Sequence, residues 1–279
     1  MSQMEISIVT DSTADIPTEI SERLEIEVIP NLIIINGKSL EDGKDISREE
    51  FYERLPWMDP QPTTATASTG IYQQIYENLL RRGSKYVLSL HPPGSLSGII
   101  NAAATAAQFF GNRVHVIDSG QVSLGLGFQV LAAAEAIREE ASLEAVLRKI
   151  EDVRSRIRLI AMLDTLEYVR RSGRVSWARA RLGNMFRVKP FIELRDGNVL
   201  SLGETRTRSK GIQRLKELLL KLSHLERLAI LHSNAEEDAR RFLNDLNLTL
   251  PFPPMVINVT TIIGTHVGPN ALGYATVLR

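Results

Sequence analysis

Cysteine is absent from this chain. Thiol nucleophiles, disulfides and thiolate metal sites are therefore excluded together, and the composition fits a reducing cytoplasm. Long apolar runs are missing as well. The most apolar stretch, Ala102–Phe110, is broken by Thr105 and Gln108, far short of the roughly eighteen residues a membrane span needs. No basic segment with an apolar core precedes the strand pattern that starts at Glu5, so no signal peptide is read. An excess of charge is missing too. Lys plus Arg number 33 and Asp plus Glu 33, which argues against a dedicated nucleic-acid binder. Several chemical motifs are lacking. There is no G-x-x-x-x-G-K-[ST] phosphate loop, and Gly125-Leu126-Gly127 lacks the third glycine of a dinucleotide fingerprint. Ser97 lies in Ser95-Leu96-Ser97-Gly98-Ile99, which is not the G-x-S-x-G nucleophile elbow. The histidines His91, His115, His224, His232 and His266 show no metal-ligand spacing. The expectation is a soluble cytoplasmic protein with no metal and no cofactor.

What the chain does contain is an ordered alternation. At 279 residues with 43% hydrophobic and 24% charged residues, it can bury one large core or two ordinary ones. Apolar, β-branched runs occur at 5–10, 27–35, 86–90, 114–118, 158–163, 227–232, 255–259 and 273–278. Helical periodicity fills 68–81, 97–109, 125–140, 143–154, 210–222 and 234–246. Short helices are predicted over 18–24 and 47–55, the second capped by Ser47 with Glu50 three residues on. This order predicts α/β units around a largely parallel sheet. The runs 189–194 and 198–203 flank Asp196-Gly197, a hairpin dipeptide, and so predict an antiparallel hairpin within a second, mixed sheet of different character. Two domains are expected, 1–156 and 157–279.

In open parallel sheets, ligands bind beyond the carboxyl ends of the strands. Here those loops carry neutral hydroxyls: Ser12 and Thr13, then Thr63, Thr64, Thr66 and Ser68, then Ser95 and Ser97, then Ser119. Ser97 stands where a helix begins, and two readings stay open, a helix cap or an anion ligand. Hydroxyls at a helix start hold a carboxylate without burying a full counter-charge, which suits an amphiphile with its tail in an apolar channel. Near the C-terminus, Ile262 to Gly273 holds three glycines and Pro269 around Thr265 and His266. An irregular loop is expected there, either a ligand site or a tight connection to the last strand. From Tyr168 to Pro190, Arg170, Arg171, Arg174, Arg179, Arg181, Arg187 and Lys189 accompany no acidic residue. With Gly173, Trp177, Gly183 and Phe186 nearby, this stretch reads either as a solvated face or as a surface for a phosphate or an acidic partner.

These motifs, taken together, resemble the DegV family of bacterial lipid-binding proteins. The resemblance rests on Thr10-Asp11-Ser12-Thr13-Ala14-Asp15-Ile16-Pro17, on Leu96-Ser97-Gly98 with Asn101, and on Val116-Ile117-Asp118-Ser119. It continues through Asp164-Thr165-Leu166-Glu167-Tyr168, Gly173-Arg174-Val175, Lys189-Pro190-Phe191-Ile192 and Thr205-Arg206-Thr207-Arg208, and closes with Gly264 to Gly273. It implies a two-domain α/β fold with one long-chain fatty acid in a tunnel between the domains. It also implies a carrier without catalytic residues of its own, working in phospholipid metabolism. A separate ATP-binding fatty acid kinase subunit would make the acyl phosphate, and transient membrane contact would fit. Carried onto matching positions, Thr64, Ser97, Gly98 and His266 hold the carboxylate. Ser12, Thr66, Ser95, Thr265 and Arg174 are further head-group candidates, and Arg206 and Arg174 face the kinase. Two family serines are missing, where this chain has Ala65 and Pro93-Gly94; Thr66 or Ser95 is the expected substitute. The rival reading from the residues is an autonomous serine hydrolase with Ser97 as nucleophile, His266 as base and Asp118 or Asp11 as orienter. A regulator touching nucleic acid through the arginine stretch is the third.

Overall fold

The computed structural model describes residues 5–180, 188–222 and 224–279. The chain forms two compact units. One comprises Met1–Leu32 with Ala65–Ser155, the other Ile33–Thr64 with Arg156–Arg279. The contiguous division expected at 156 and 157 therefore differs in one segment, Ile33–Thr64, which groups with the C-terminal half. The reason is visible in its partners. Asp42 accepts from Thr261, the Tyr52 hydroxyl donates to the Val259 carbonyl, and Arg48 donates to the Asn258 carbonyl.

The first unit is built on four parallel strands in the order Ile26–Ile29, Ile6–Asp11, Tyr86–His91 and Val114–Asp118. Its central strands are buried along nearly their whole length, as parallel strands covered by helices require. Val9, Ile29, Val87 and Val114 pack with Tyr72, Tyr76, Ile99 and Ala103 from the helices Thr69–Arg81 and Ile99–Ala107. Helix Ser123–Arg138 is buried continuously from Ser123 to Ala134. Gly127 allows its close approach, because a Cβ there would stand 2.6 Å from the Ala14 carbonyl oxygen.

The second unit holds a six-stranded mixed sheet in the order Asn198–Thr205, Lys189–Arg195, Ile157–Met162, Leu272–Leu278, Leu225–His232 and Met255–Asn258. All neighbours are antiparallel except the last pair. The hairpin turn is Asp196-Gly197, with φ of 47° and 75°, the pair of positive angles a two-residue turn with the strands' own twist needs. Helices Arg208–Leu220 and Glu236–Asn244 supply Leu215, Leu219, Ala239 and Phe242 to a core shared with Ile160, Phe191, Leu228 and Tyr274. Segment 33–64 adds the helix Arg48–Arg54, capped by the Ser47 hydroxyl on the Glu50 amide at 3.1 Å, and a small sheet ordered Lys38–Glu41, Leu32–Ile35, Thr63–Ala65.

Two local readings change. The single run at 27–35 is two strands in different sheets, Ile26–Ile29 and Leu32–Ile35. Pro30 lacks the amide that would continue the ladder, and Asn31 turns its side chain onto Asp11. The stretch around His266 is not an irregular loop but the helix Thr261–Val267, ended by Gly268 at φ 77°.

Candidate functional site

In the first unit, the loop after the Ile6–Asp11 strand is fixed by a buried polar chain. One Asp11 oxygen accepts from the Thr13 amide (3.0 Å), the Thr13 hydroxyl (2.6 Å) and the Asn31 amide group (2.8 Å). The other lies 2.7 Å from His91 Nδ1. His91 Nε2 is 2.7 Å from Ser89 Oγ, which is 2.7 Å from the Tyr76 hydroxyl. Asp11, Ser89, His91 and Tyr76 are all at 0% exposure, and burial pushes the Tyr76 pKa up to about 12, so its proton stays on. An Asp–His–Ser geometry that solvent does not reach pins a loop; it has no opening for a substrate. The sequence reading missed it. Its signal was Asp11 and His91 closing two neighbouring parallel strands.

The remaining hydroxyl loops of this unit are also wired locally. Ser12 Oγ accepts from the Asn31 backbone amide at 3.2 Å, and the Thr66 hydroxyl donates to the Ala67 carbonyl at 3.2 Å. Asp118 accepts from the Gly94 amide (3.1 Å) and the Gly120 amide (2.8 Å), which braces the turn at 93–98. Ser97 is half-buried two residues ahead of helix Ile99–Ala107, and its Oγ accepts from the Ile99 amide at 3.3 Å. Gly98, in ordinary helical conformation, is the residue at the cap itself. Ser95 and Gly98 are exposed.

In the second unit, Thr64 and His266 come together. Thr64 ends the segment 33–64 in the short strand Thr63–Ala65, and its Oγ1 lies 3.3 Å from His266 Nε2. Burial, and next the positive charge of Arg174, hold the His266 pKa down from 6.5 to about 4. The imidazole is neutral at pH 7, one ring nitrogen donating and the other accepting. Its Nδ1 is buried without a hydrogen-bond partner among the described residues. A serine triad needs an orienting carboxylate on that nitrogen, so the hydrolase reading lacks its third member there, while Asp11 and Asp118 are held by the contacts above. Thr265 turns its hydroxyl back onto the Thr261 carbonyl at 2.8 Å, within its own helix.

The basic stretch is less uniform than its sequence. Arg171 pairs with Glu167, and Lys189 with Asp164 at 2.6 Å, acids that lie just ahead of the run. Arg170 and Arg174 are exposed, as is Arg206. The Trp177 indole donates to the Val199 carbonyl at 2.9 Å. The Arg179 side chain, Arg181, Gly183, Phe186 and Arg187 lie outside the described residues. A hollow of about 450 Å³ at the start of helix Glu236–Asn244 is lined by Asp164, Arg208, Asn234, Glu236 and Glu237 among others, too polar for an acyl chain. Among the described residues no helix is long and apolar enough to cross a membrane, and no cluster of His, Asp and Glu is disposed to hold a metal.

Comparison with known proteins gives these features a context. The family model described as "Uncharacterised protein, DegV family" matches residues 5–279. A DegV domain-containing protein of Deinococcus radiodurans is 34% identical over 286 residues, covering 98% of each chain. Among solved structures, a DegV family protein from Thermus thermophilus, described for its fatty acid binding, superposes with a TM-score of 0.90 at 31% identity, covering 99% of this chain and 100% of its own. DegV of Bacillus subtilis, described as a fatty acid binding protein, superposes at 0.86 with 31% identity, covering 99% and 100%.

Proposed function

The chain belongs to the DegV family, and from that membership we propose that it binds one long-chain fatty acid and holds the carboxylate with Thr64 and His266. The observation that carries this is the Thr64–His266 pair, whose half-buried imidazole is neutral and keeps its Nδ1 out of solvent. With Nε2–H donating to Thr64 Oγ1, the threonine proton is free to donate to a carboxylate oxygen. Arg174, whose charge already reaches His266, favours an anion at the same place. Ser97 and Gly98, at the start of helix Ile99–Ala107, are the proposed second contact, with Ser12, Thr66, Ser95 and Thr265 as reserves. Among those reserves two hydroxyls already donate to backbone carbonyls, Thr66 to Ala67 and Thr265 to Thr261 of its own helix.

Binding is strong enough to survive purification on simple grounds. About fourteen methylenes at roughly 0.8 kcal/mol each give a gross gain on the order of 11 kcal/mol, part of which association and ordering remove. The chain acts as a carrier in this reading. A partner fatty acid kinase phosphorylates the presented carboxylate, docking on the exposed Arg206 and Arg174.

Native mass spectrometry, followed by solvent extraction and identification of the ligand, tests the lipid directly. One fatty acid per chain is expected, with palmitate or oleate raising the Tm of the delipidated protein. Apo mass throughout, with no thermal shift, refutes the reading. Ser97→Ala and Thr64→Val should each weaken binding by about ten- to a hundred-fold, the loss of one hydrogen bond to a charged group. A Ser97→Ala protein that binds normally and only melts earlier assigns Ser97 to capping alone.

A further inference from the structure

The helix that carries His266 has only seven residues, Thr261–Val267, too few to hold its place by its own hydrogen bonds. Three side chains, Asp42, Tyr52 and Tyr168, decide where it lies. At its start, Asp42 Oδ1 accepts from the Thr261 amide (3.1 Å) and the Thr261 hydroxyl (2.7 Å). The Tyr52 hydroxyl, buried with its ring, sits 3.0 Å from the Val259 carbonyl oxygen and 3.3 Å from that of Thr260, the capping residue. On its face, Gly264 receives the same phenol: a Cβ there would stand 2.3 Å from the Tyr52 oxygen and 2.6 Å from two ring carbons. At its end, Gly268 at φ 77° lies under Tyr168, whose ring a Cβ would meet at 2.2 Å.

Asp42 and Tyr52 belong to segment 33–64, and that segment ends at Thr64. One stretch of chain thus delivers the hydroxyl and also holds the helix whose histidine faces it. We propose that Tyr52, assisted by Asp42, is the positioning residue of the head-group site, setting His266 against Thr64 and thereby tying carboxylate affinity to the docking of segment 33–64. The proposal takes its consequence from the fatty-acid reading and its geometry from the contacts alone. Mutual dependence follows from linkage: a ligand held by both Thr64 and His266 stabilises the seating of the segment that joins them.

The test is Tyr52→Phe, which keeps the ring on Gly264 and removes the two-carbonyl donor. The His266 imidazole is followed by NMR titration, with His266→Gln to assign it, and palmitate affinity is measured in parallel. In the wild type His266 should stay neutral to about pH 4. In Tyr52→Phe its titration should move up by about one pH unit toward the solvent-exposed value, and palmitate affinity should fall about ten-fold. Phe242→Leu, a core change elsewhere in the same unit, is the control; it should lower Tm without moving either readout. If Tyr52→Phe fails to fold, Thr261→Val, which removes the hydroxyl held by Asp42, is read in the same way. An unmoved His266 titration overturns the proposal whatever the affinity does. A moved titration with unchanged palmitate affinity overturns the link to the head group. If the wild type binds no palmitate, the fatty-acid reading fails by itself, and the titration still decides whether Tyr52 positions His266.

Discussion

Replacing His266 by glutamine should flatten the acid side of the stability curve. In the folded chain the His266 pKa is lowered from 6.5 to about 4, first by burial and then by Arg174. Between those values the unfolded chain takes up a proton that the folded chain refuses, so stability falls as pH falls. The contribution is intact above about pH 6.5 and is lost progressively toward pH 4. At pH 5 the unfolded imidazole is almost fully protonated and the folded one hardly at all, a penalty of about 2 kcal/mol relative to pH 8. Glutamine does not titrate, so this part of the pH dependence should vanish in the variant. His232, lowered to about 4 chiefly by burial, remains and accounts for a comparable slope in both proteins. Urea unfolding followed by tryptophan fluorescence is the natural assay, because both tryptophans, Trp57 and Trp177, belong to the unit that contains His266. The variant should lose about 2 kcal/mol less than the wild type between pH 8 and pH 5. Parallel curves over that range would refute the neutral histidine and the head-group chemistry drawn from it.

Two further outcomes follow from other parts of the molecule. Arg206→Glu alters an exposed side chain, and surface charges add little to folding while interface arginines often carry binding energy; lipid binding and Tm should be retained while acyl-phosphate formation with an added fatty acid kinase drops at least ten-fold, and normal phosphorylation would remove Arg206 from the docking surface. Gly273→Ala places a Cβ 2.6 Å from the Ile160 carbonyl oxygen in the neighbouring strand, so chemical denaturation should show a loss of about 1–3 kcal/mol, and an unchanged midpoint would mean that the strands separate there at no cost.

Much of the architecture was legible because its signals are local. Alternating apolar runs and helical periodicity marked the parallel sheet of the first unit, and Asp196-Gly197 marked the hairpin through its backbone angles alone. Ser47 and Glu50 likewise announced the cap of helix Arg48–Arg54. What was not legible at the His266 site rests on contacts between residues distant in sequence. Gly264 reads as a loop residue until Tyr52 is seen lying on it, and nothing near Gly264 names that tyrosine. Thr64 and His266 were both chosen from the sequence, but their 3.3 Å approach was not foreseeable from either neighbourhood. The arginine stretch contains no acid of its own, and its partners, Glu167 and Asp164, stand just ahead of it in the chain.

The placement of residues 33–64 has a consequence for synthesis. The Tyr52 hydroxyl bonds a carbonyl 207 residues later, and Asp42 a threonine 219 residues later. At about 5–20 residues per second, a ribosome needs on the order of 10–40 s between making the segment and making its partners. Throughout that interval Tyr52, buried in the finished protein, lacks the carbonyls and the Gly264 face it will meet, and Asp42 lacks Thr261. The nascent chain therefore carries this segment with its later partners still unmade, while the first unit is being synthesised. Holdase chaperones that recognise short aromatic and β-branched stretches should engage the growing chain there, and let go only after residue 261 has emerged.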